Sequence, residues 1–363
     1  MLKKKVLLGM SGGVDSAVAA LLLLKQGYEV TGVTMKLRPD KYMSESSSGG
    51  CCSLDDIDDA RRVAYKLGID HLVLNFTEAF NTDVINYFVQ KYLCGRTPNP
   101  CIACNQKIKF DALLKKALLL GYDHIATGHY AAIEYDNQLN RWLLKKANSK
   151  KDQSYVLYGM QQYQLAHTLM PLSNIEKSEV RELAHKYDLP VAKKPDSQEI
   201  CFVQDKNYAK FIEQYTGKSS PRGCFMDEKG VILGHHSGIT KYTIGQRKGL
   251  GIAFGEPRYV TKIDASKNTI VLGKDKDQYS DSLIAKSINF IPFSNLHKKI
   301  NISAKIRYQA KPAEATLIPI NANNVRVEFK VSQKAVTPGQ SVVFYDGNLV
   351  IGGGVIEEST KYN

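Results

Sequence analysis

The chain has 363 residues, 43% of them hydrophobic, with 49 Lys/Arg against 36 Asp/Glu and a formal net charge of +13. That length suggests two or three domains with ample core, while no apolar run approaches the roughly 18 residues of a membrane span. The charge points to a polyanionic partner, nucleic acid first. Seven cysteines, an odd number, argue against a disulfide scaffold and for chemistry, metal ligation or burial. Met1 to Lys5 runs straight into an apolar strand pattern, so the expectation is a cytoplasmic chain without a cleaved leader.

Val6–Leu8, bounded by Gly9, read as a buried parallel strand. From Val14 strong helix formers run unbroken to Gly27. Between them lies Gly9-Met10-Ser11-Gly12-Gly13-Val14-Asp15-Ser16. Strand, tight polar loop and helix bring backbone N–H groups and a helix N-terminus onto an anion. Gly12 and Gly13 admit close approach of a phosphate, Ser11 and Ser16 add hydroxyls, and Asp15 offers a carboxylate for Mg²⁺. No Lys-Ser or Lys-Thr follows, so this is not a Walker A loop. A two-glycine turn alone would be an ordinary loop. The full hexapeptide resembles the SGGxDS signature of the PP-loop ATP pyrophosphatases, which cleave ATP between the α- and β-phosphates.

A second strand is predicted over 29–35, then a mobile loop over 38–53 ending in Cys51-Cys52, which are taken as structural. Helices over 54–67, 77–93 and 110–120 alternate with strands at 71–75 and 124–127. Such alternation predicts a doubly wound parallel sheet with ligands beyond the strands' carboxyl ends. Gly9–Ser16, Met35 and Thr127-Gly128-His129 all fall there. From about 206 the texture changes to short strands and loops, and from about 282 period-two alternation with Pro338-Gly339 and Asp346-Gly347 turns predicts a β-barrel. The expected division is 1–205, 206–280 and 281–363. Residues 281–363 hold ten Lys/Arg against six Asp/Glu, so the positive charge is spread over the chain.

Two cysteine segments stand out. In Gly95-Arg-Thr-Pro-Asn-Pro-Cys-Ile-Ala-Cys104, the thiols are read as preceding a helix that starts near Phe110, flanked by Lys107 and Lys109, which lowers a thiol pKa. A CxxC pair is also half a zinc site, but no second half is found. In Pro195-Asp-Ser-Gln-Glu-Ile-Cys201-Phe-Val203, spacing alone favours simple burial of the cysteine.

Taken in order, the loop at 11–16, Thr97-Pro-Asn-Pro100 with Cys104-Asn105, Gly128-His129, Lys151-Asp-Gln-Ser154 and Asp196-Ser…Ile-Cys-Phe202 resemble the bacterial tRNA-specific 2-thiouridylases, the MnmA family, along the whole chain. The resemblance implies an adenine nucleotide alpha hydrolase-like catalytic domain. It implies ATP, with Mg²⁺, bound by residues 9–16, Met35 and Gly128. C2 of the wobble uridine in tRNAs for Lys, Glu and Gln would be adenylated and then thiolated. Cys201 would carry a persulfide from a sulfur donor protein and Cys104 would free the sulfur, leaving a disulfide to be reduced. Asn99, Pro100 and Cys101 would border the extruded base. His129, Lys151, Asp152, Gln153, Arg307, Tyr308 and Gln340 match tRNA-holding positions.

Some members carry Asp where this chain has Cys101. That departure opens an alternative, a [4Fe–4S] cluster held by Cys101, Cys104 and Cys201. Two further readings are another PP-loop adenylating ligase, which would need no cysteine pair, and a non-catalytic tRNA-binding protein.

Overall fold

Val6, Leu7 and Leu8 are fully buried in β1 (Lys5–Gly9), each contributing about 1.5–3 kcal/mol relative to exposure. The structure, a computed structural model, describes residues 3–38, 54–196, 200–203, 207–252 and 255–361. The loop expected at 38–53, with Cys51 and Cys52, lies outside the described residues except for Arg38.

After β1 come α1 (Val14–Lys25), β2 (Glu29–Lys36), α2 (Leu54–Leu67) and β3 (Asp70–Asn75). A continuous helical run follows as α3 (Thr77–Phe80), a π-helical stretch Asn81–Asn86 and α4 (Tyr87–Leu93). A second run comprises α5 (Pro100–Cys104), a π-helical stretch Asn105–Ala112 and α6 (Leu113–Leu119). Then come β4 (His124–Ala126), β5 (Ala131–Asp136), β6 (Arg141–Lys146), α7 (Gln162–Ala166), β7 (Thr168–Leu169) and α8 (Lys177–Lys186). Strands β3-β2-β1-β4-β7 form one all-parallel sheet. The α1 helix is buried on most of its surface, against the sheet and α8. This is the predicted doubly wound arrangement.

The helix predicted from Phe110 starts ten residues earlier. Pro100 occupies its first turn, and the Asn99 side chain accepts hydrogen bonds from the Cys101 and Ile102 amides at 3.0 and 3.3 Å. An N-cap Asn followed by a first-turn Pro is a strong start signal. Cys101 and Cys104 therefore lie inside the helix rather than before it.

Next come α9 (Tyr208–Thr216), β8 (Gly223–Met226), β9 (Ile232–His236), β10 (Tyr259–Asp264) and β11 (Thr269–Gly273), with sheet order β10-β11-β8-β9. This sheet has its own core around Phe225, Val260 and Leu272. By contrast, α9 packs back onto the first domain, with Ile212 beside Phe80 and Phe88.

Strands β12 (Tyr279–Phe290), β13 (Ile300–Lys305), β14 (Ala313–Asn321), β15 (Asn324–Lys334), β16 (Ser341–Asp346) and β17 (Leu349–Thr360) follow. They pair as β12-β15-β14-β13-β16-β17 and close through β12–β17 into a barrel. The β5–β6 hairpin of the first domain, unforeseen in the sequence, joins the barrel's sheet at the β17 edge, Leu349 opposite Lys145.

Candidate active site

The loop after β1 is shaped by glycine. Gly12 has φ +68°, and a Cβ there would lie 2.4 Å from the Asp56 carbonyl oxygen of α2. Gly13 precedes α1 in extended conformation. Ser16 Oγ donates to the Gly13 carbonyl at 3.0 Å and accepts the Ser11 N–H at 3.3 Å, folding the loop back on the helix start. Met10 N–H bonds to Val33 O at 2.8 Å, and its carbonyl accepts Thr34 Oγ1 at 2.9 Å. Gly128 completes the cradle. A side chain there would lie 2.8 Å from the Ser16 amide nitrogen, so only glycine lets the β4 exit meet the loop. Met35, at the end of β2, is half-buried beside the apolar clusters below.

Asp15 is the centre of an ion network. Its Oδ1 accepts Tyr130 Oη at 2.7 Å and Lys177 Nζ at 2.5 Å, and its Oδ2 accepts Lys151 Nζ at 2.9 Å. Both lysines also reach Asp196, Lys151 at 2.6 Å and Lys177 at 2.8 Å, and Arg181 lies 3.2 Å from the same carboxylate. Burial works against these charges. Even so, bonds to Asp196 and Asp15 hold the Lys151 ammonium above its ordinary pKa, and Lys151 and Lys177 hold the Asp196 carboxyl below its own. Burial and then Asp15 push the Tyr130 hydroxyl far up, so it stays a donor. Both oxygens of Asp15 are thus engaged by ammonium groups and a phenol, an arrangement that does not fit the Mg²⁺ expected beside it.

Several residues expected at tRNA cluster behind this network. Gln153 Oε1 accepts the Tyr130 N–H at 3.0 Å, and the Gln153 N–H donates back to the Tyr130 carbonyl at 2.7 Å. His129 Nδ1 pairs with Thr127 Oγ1 at 2.8 Å; burial, then Lys109 and Lys151, hold this imidazole well below its ordinary range, hence neutral. The Asp152 carboxylate closes a local turn, accepting from Ala147 N, Ser154 N and Ser154 Oγ. Tyr308 of the barrel donates to the Asp152 carbonyl at 3.2 Å. The structure therefore directs Lys151 at the PP-loop carboxylate, next to the other residues of its motif.

Cys104, buried, belongs to an apolar cluster with Phe80, Phe88, Ile108 and Phe202, and the half-buried Cys201 packs against that same cluster. Phe202 stands edge-on to Phe88 at 5.3 Å and to Phe80 at 5.8 Å. Cys101, three residues before Cys104, is exposed. Among the described residues no group of three or more His, Cys, Asp or Glu is arranged to hold a metal ion.

The barrel braces this region. Thr97 N–H donates to Pro338 O at 3.0 Å, and Gly339 sits so close that a Cβ would lie 2.9 Å from the Thr97 nitrogen. Gln340 follows directly, its carbonyl held by Ile356 N–H at 2.8 Å. Beside it Tyr155 Oη donates to Ser341 O at 2.8 Å. Lys305 lies over the rings of Tyr155 and Tyr308, at 5.7 and 5.6 Å, and Arg307 contacts Lys334 O at 3.4 Å. Sequence reasoning missed Tyr130, Lys177, Arg181 and Lys305, which lie in no recognised motif.

Comparison with known proteins bears on this site directly. Family models described as tRNA methyl transferase HUP domain, tRNA methyl transferase PRC-barrel domain and aminomethyltransferase beta-barrel domain match residues 4–205, 209–274 and 280–356. The tRNA-specific 2-thiouridylase MnmA of Acetivibrio thermocellus is 57% identical over 98% of this chain and 100% of its own. The chain belongs to the tRNA-specific 2-thiouridylase family. The enzyme of that name from Clostridioides difficile is 54% identical over 99% of both chains. Among solved structures, NMN synthetase from Francisella tularensis aligns at TM-score 0.34 and 20% identity over 60% of this chain and 79% of its own, too distant to carry weight. Among the described residues no helix is long and apolar enough to cross a membrane.

Proposed function

We propose that this chain is an ATP-dependent tRNA uridine 2-sulfurtransferase acting on the wobble uridine of tRNAs for Lys, Glu and Gln. Family membership supports the activity. The observation that carries the mechanism is that Cys104 and Cys201, from segments almost a hundred residues apart, pack into one cluster.

ATP binds on the PP-loop. The C2 carbonyl oxygen of the uridine attacks the α-phosphorus and pyrophosphate leaves. That converts a poor leaving oxygen into AMP. The terminal sulfur of a Cys201 persulfide, supplied by a donor protein, attacks C2 and AMP departs. The Cys104 thiolate then attacks the Cys201 sulfur. The S–S bond to the transferred atom breaks, its electron pair stays with the 2-thiouridine, and a Cys104–Cys201 disulfide forms. Two external thiols, or one dithiol, supply the two electrons and two protons that reset it and leave as a disulfide. Asn99, Pro100 and exposed Cys101 border the extruded base. His129, Lys151–Gln153, Arg307, Tyr308 and Gln340 line the approach for tRNA. Mass spectrometry of tRNA nucleosides after incubation with ATP and a persulfide donor tests the reading. It expects 2-thiouridine at the wobble position with AMP and pyrophosphate, and ADP with phosphate as the main products would refute it.

A further inference from the structure

We infer that Asp196 is a positioning residue through which the nucleotide's phosphates act on the Cys201 segment: it shares Lys151 and Lys177 with Asp15, and gives them up when ATP binds. The inference rests on the proposed reaction and adds a coupling between its two halves.

The geometry ties the segment before Cys201 to both sides of the PP-loop. On one side, Asp196 holds Lys151, Lys177 and Arg181, while Arg181 Nη1 also donates to the carbonyls of Ala192 and Lys194 at 3.4 Å each. On the other, Lys194 reaches Asp56 at 2.8 Å and Asp59 at 2.6 Å on α2, and the Asp56 backbone covers Gly12. Cys201 follows Asp196 by only five residues and packs against the apolar cluster that contains Phe88, Phe202 and Cys104.

Charge gives the direction. Lys151, Lys177 and Arg181 are three cations sharing the two carboxylates of Asp15 and Asp196. Lys151, Lys177, Asp15 and Asp196 are only 19–27% exposed, which limits screening by solvent. A triphosphate held over Gly12 and Gly13 presents more negative charge and more acceptor oxygens than one carboxylate, and ammonium groups bind phosphate well as point charges. The lysines can turn to phosphate without leaving Asp15. Asp196 then keeps Arg181 alone, having lost two of its three cationic partners, and the attachment upstream of Cys201 is weakened. A purely structural brace would hold equally with or without nucleotide.

The test needs neither tRNA nor a sulfur donor. The rate at which iodoacetamide alkylates Cys201 is followed by peptide mass spectrometry, with and without α,β-methylene-ATP, whose binding is checked separately by equilibrium dialysis. In the unaltered enzyme the bound nucleotide is expected to change the Cys201 rate several-fold. Asp196→Asn should show a nucleotide-independent rate close to the nucleotide-bound one, and Asp196→Glu should restore the response. An unchanged Cys201 rate in unaltered enzyme with nucleotide bound overturns the inference, whether or not the variants fold. So does a full response in folded Asp196→Asn. Failure of the thiolation reading shows up elsewhere, as missing 2-thiouridine in the nucleoside assay.

Discussion

Arg96 reaches from the loop ahead of Asn99 to Glu357 on the last barrel strand, closing two N–H···O bonds of 2.7 Å each. Lys286 adds a third contact at 3.1 Å. The Arg96 bonds hold the Glu357 carboxyl below its ordinary range despite some burial, with Lys286 assisting. Two domains far apart in sequence thus share one fork-shaped contact four residues before Pro100.

Arg96→Gln should therefore lower stability by about 1 kcal/mol, the scale of a well-aligned but partly exposed pair. Thermal unfolding measures this. Because Thr97 also bonds to Pro338, the larger effect is expected in KM for tRNA, with ATP affinity unchanged. An equal loss in ATP binding would mean the pair supports the whole domain rather than the base-side loop.

At Gly12 a methyl group meets the Asp56 backbone, and the residue's φ of +68° already disfavours any side chain. Gly12→Ala should cost roughly 1–3 kcal/mol and eliminate ATP binding, because either the loop or the start of α2 must move. Calorimetric titration with ATP checks it. Gly27→Ala, with open space around it but φ +88°, should cost only about 1 kcal/mol and leave ATP binding intact.

These two sites show what the sequence could and could not convey. Ser11 to Ser16 was legible because a phosphate loop is local: its glycines, cap and helix are neighbours along the chain. The barrel and the parallel sheet were legible through periodicity. The helix start at Pro100 escapes the sequence reading although Asn99-Pro100 is a cap signal, because the segment from Gly95 to Cys104 reads as lying ahead of a helix that starts near Phe110. The Asp15 network was not legible at all. Tyr130, Lys151, Lys177 and Asp196 meet only through the sheet's topology, and a lone lysine on an amphipathic helix such as α8 looks like a solvated face.

That network fixes a pH dependence. The Asp196 carboxyl is held below its reference value of 3.8, so its contribution to stability is present above 3.8 and is lost as pH falls through the lower folded value. The Lys151 ammonium is held above 10.5, so its contribution is complete below 10.5 and is lost as pH rises through the higher folded value. Between these limits neither group exchanges protons on unfolding. The stability difference between the enzyme and Asp196→Asn, from urea unfolding, should be flat from about pH 5 to about pH 9 and shrink below it. A difference that grows on acidification would contradict the assigned pairing.

RNA binding should depend on different residues. Lys305 lies across Tyr155 and Tyr308. Burial, with neighbouring Lys146, holds its pKa down against the pull of Asp152, leaving a cation that gains from a phosphate. Lys305→Ala and Arg307→Ala should each weaken tRNA binding and reduce its salt dependence by about one counterion, with ATP binding unaffected. Lys151→Ala, by contrast, should impair both ligands, since its ammonium sits on Asp15. Filter binding across a salt series separates the two classes.

The cysteines give the sharpest division of labour. Adenylation needs no thiol, whereas sulfur transfer needs both Cys104 and Cys201. Cys104→Ser and Cys201→Ser should each abolish 2-thiouridine formation, while tRNA-dependent pyrophosphate release continues at a comparable rate. Replacing Cys104 by serine exchanges sulfur for a smaller oxygen in a packed cluster, so folding is confirmed by near-ultraviolet circular dichroism before activity is compared. Cys94 and Cys224 lie outside that cluster, and their serine variants should keep full thiolation. Cys101 is exposed in the helix's first turn, where a carboxylate suits the helix dipole as well as a thiol does. Cys101→Asp should therefore be tolerated in both fold and activity. Loss of pyrophosphate release in both the Cys104 and Cys201 variants would mean that the thiols act before or during adenylation, and the order of steps proposed here would have to be reversed.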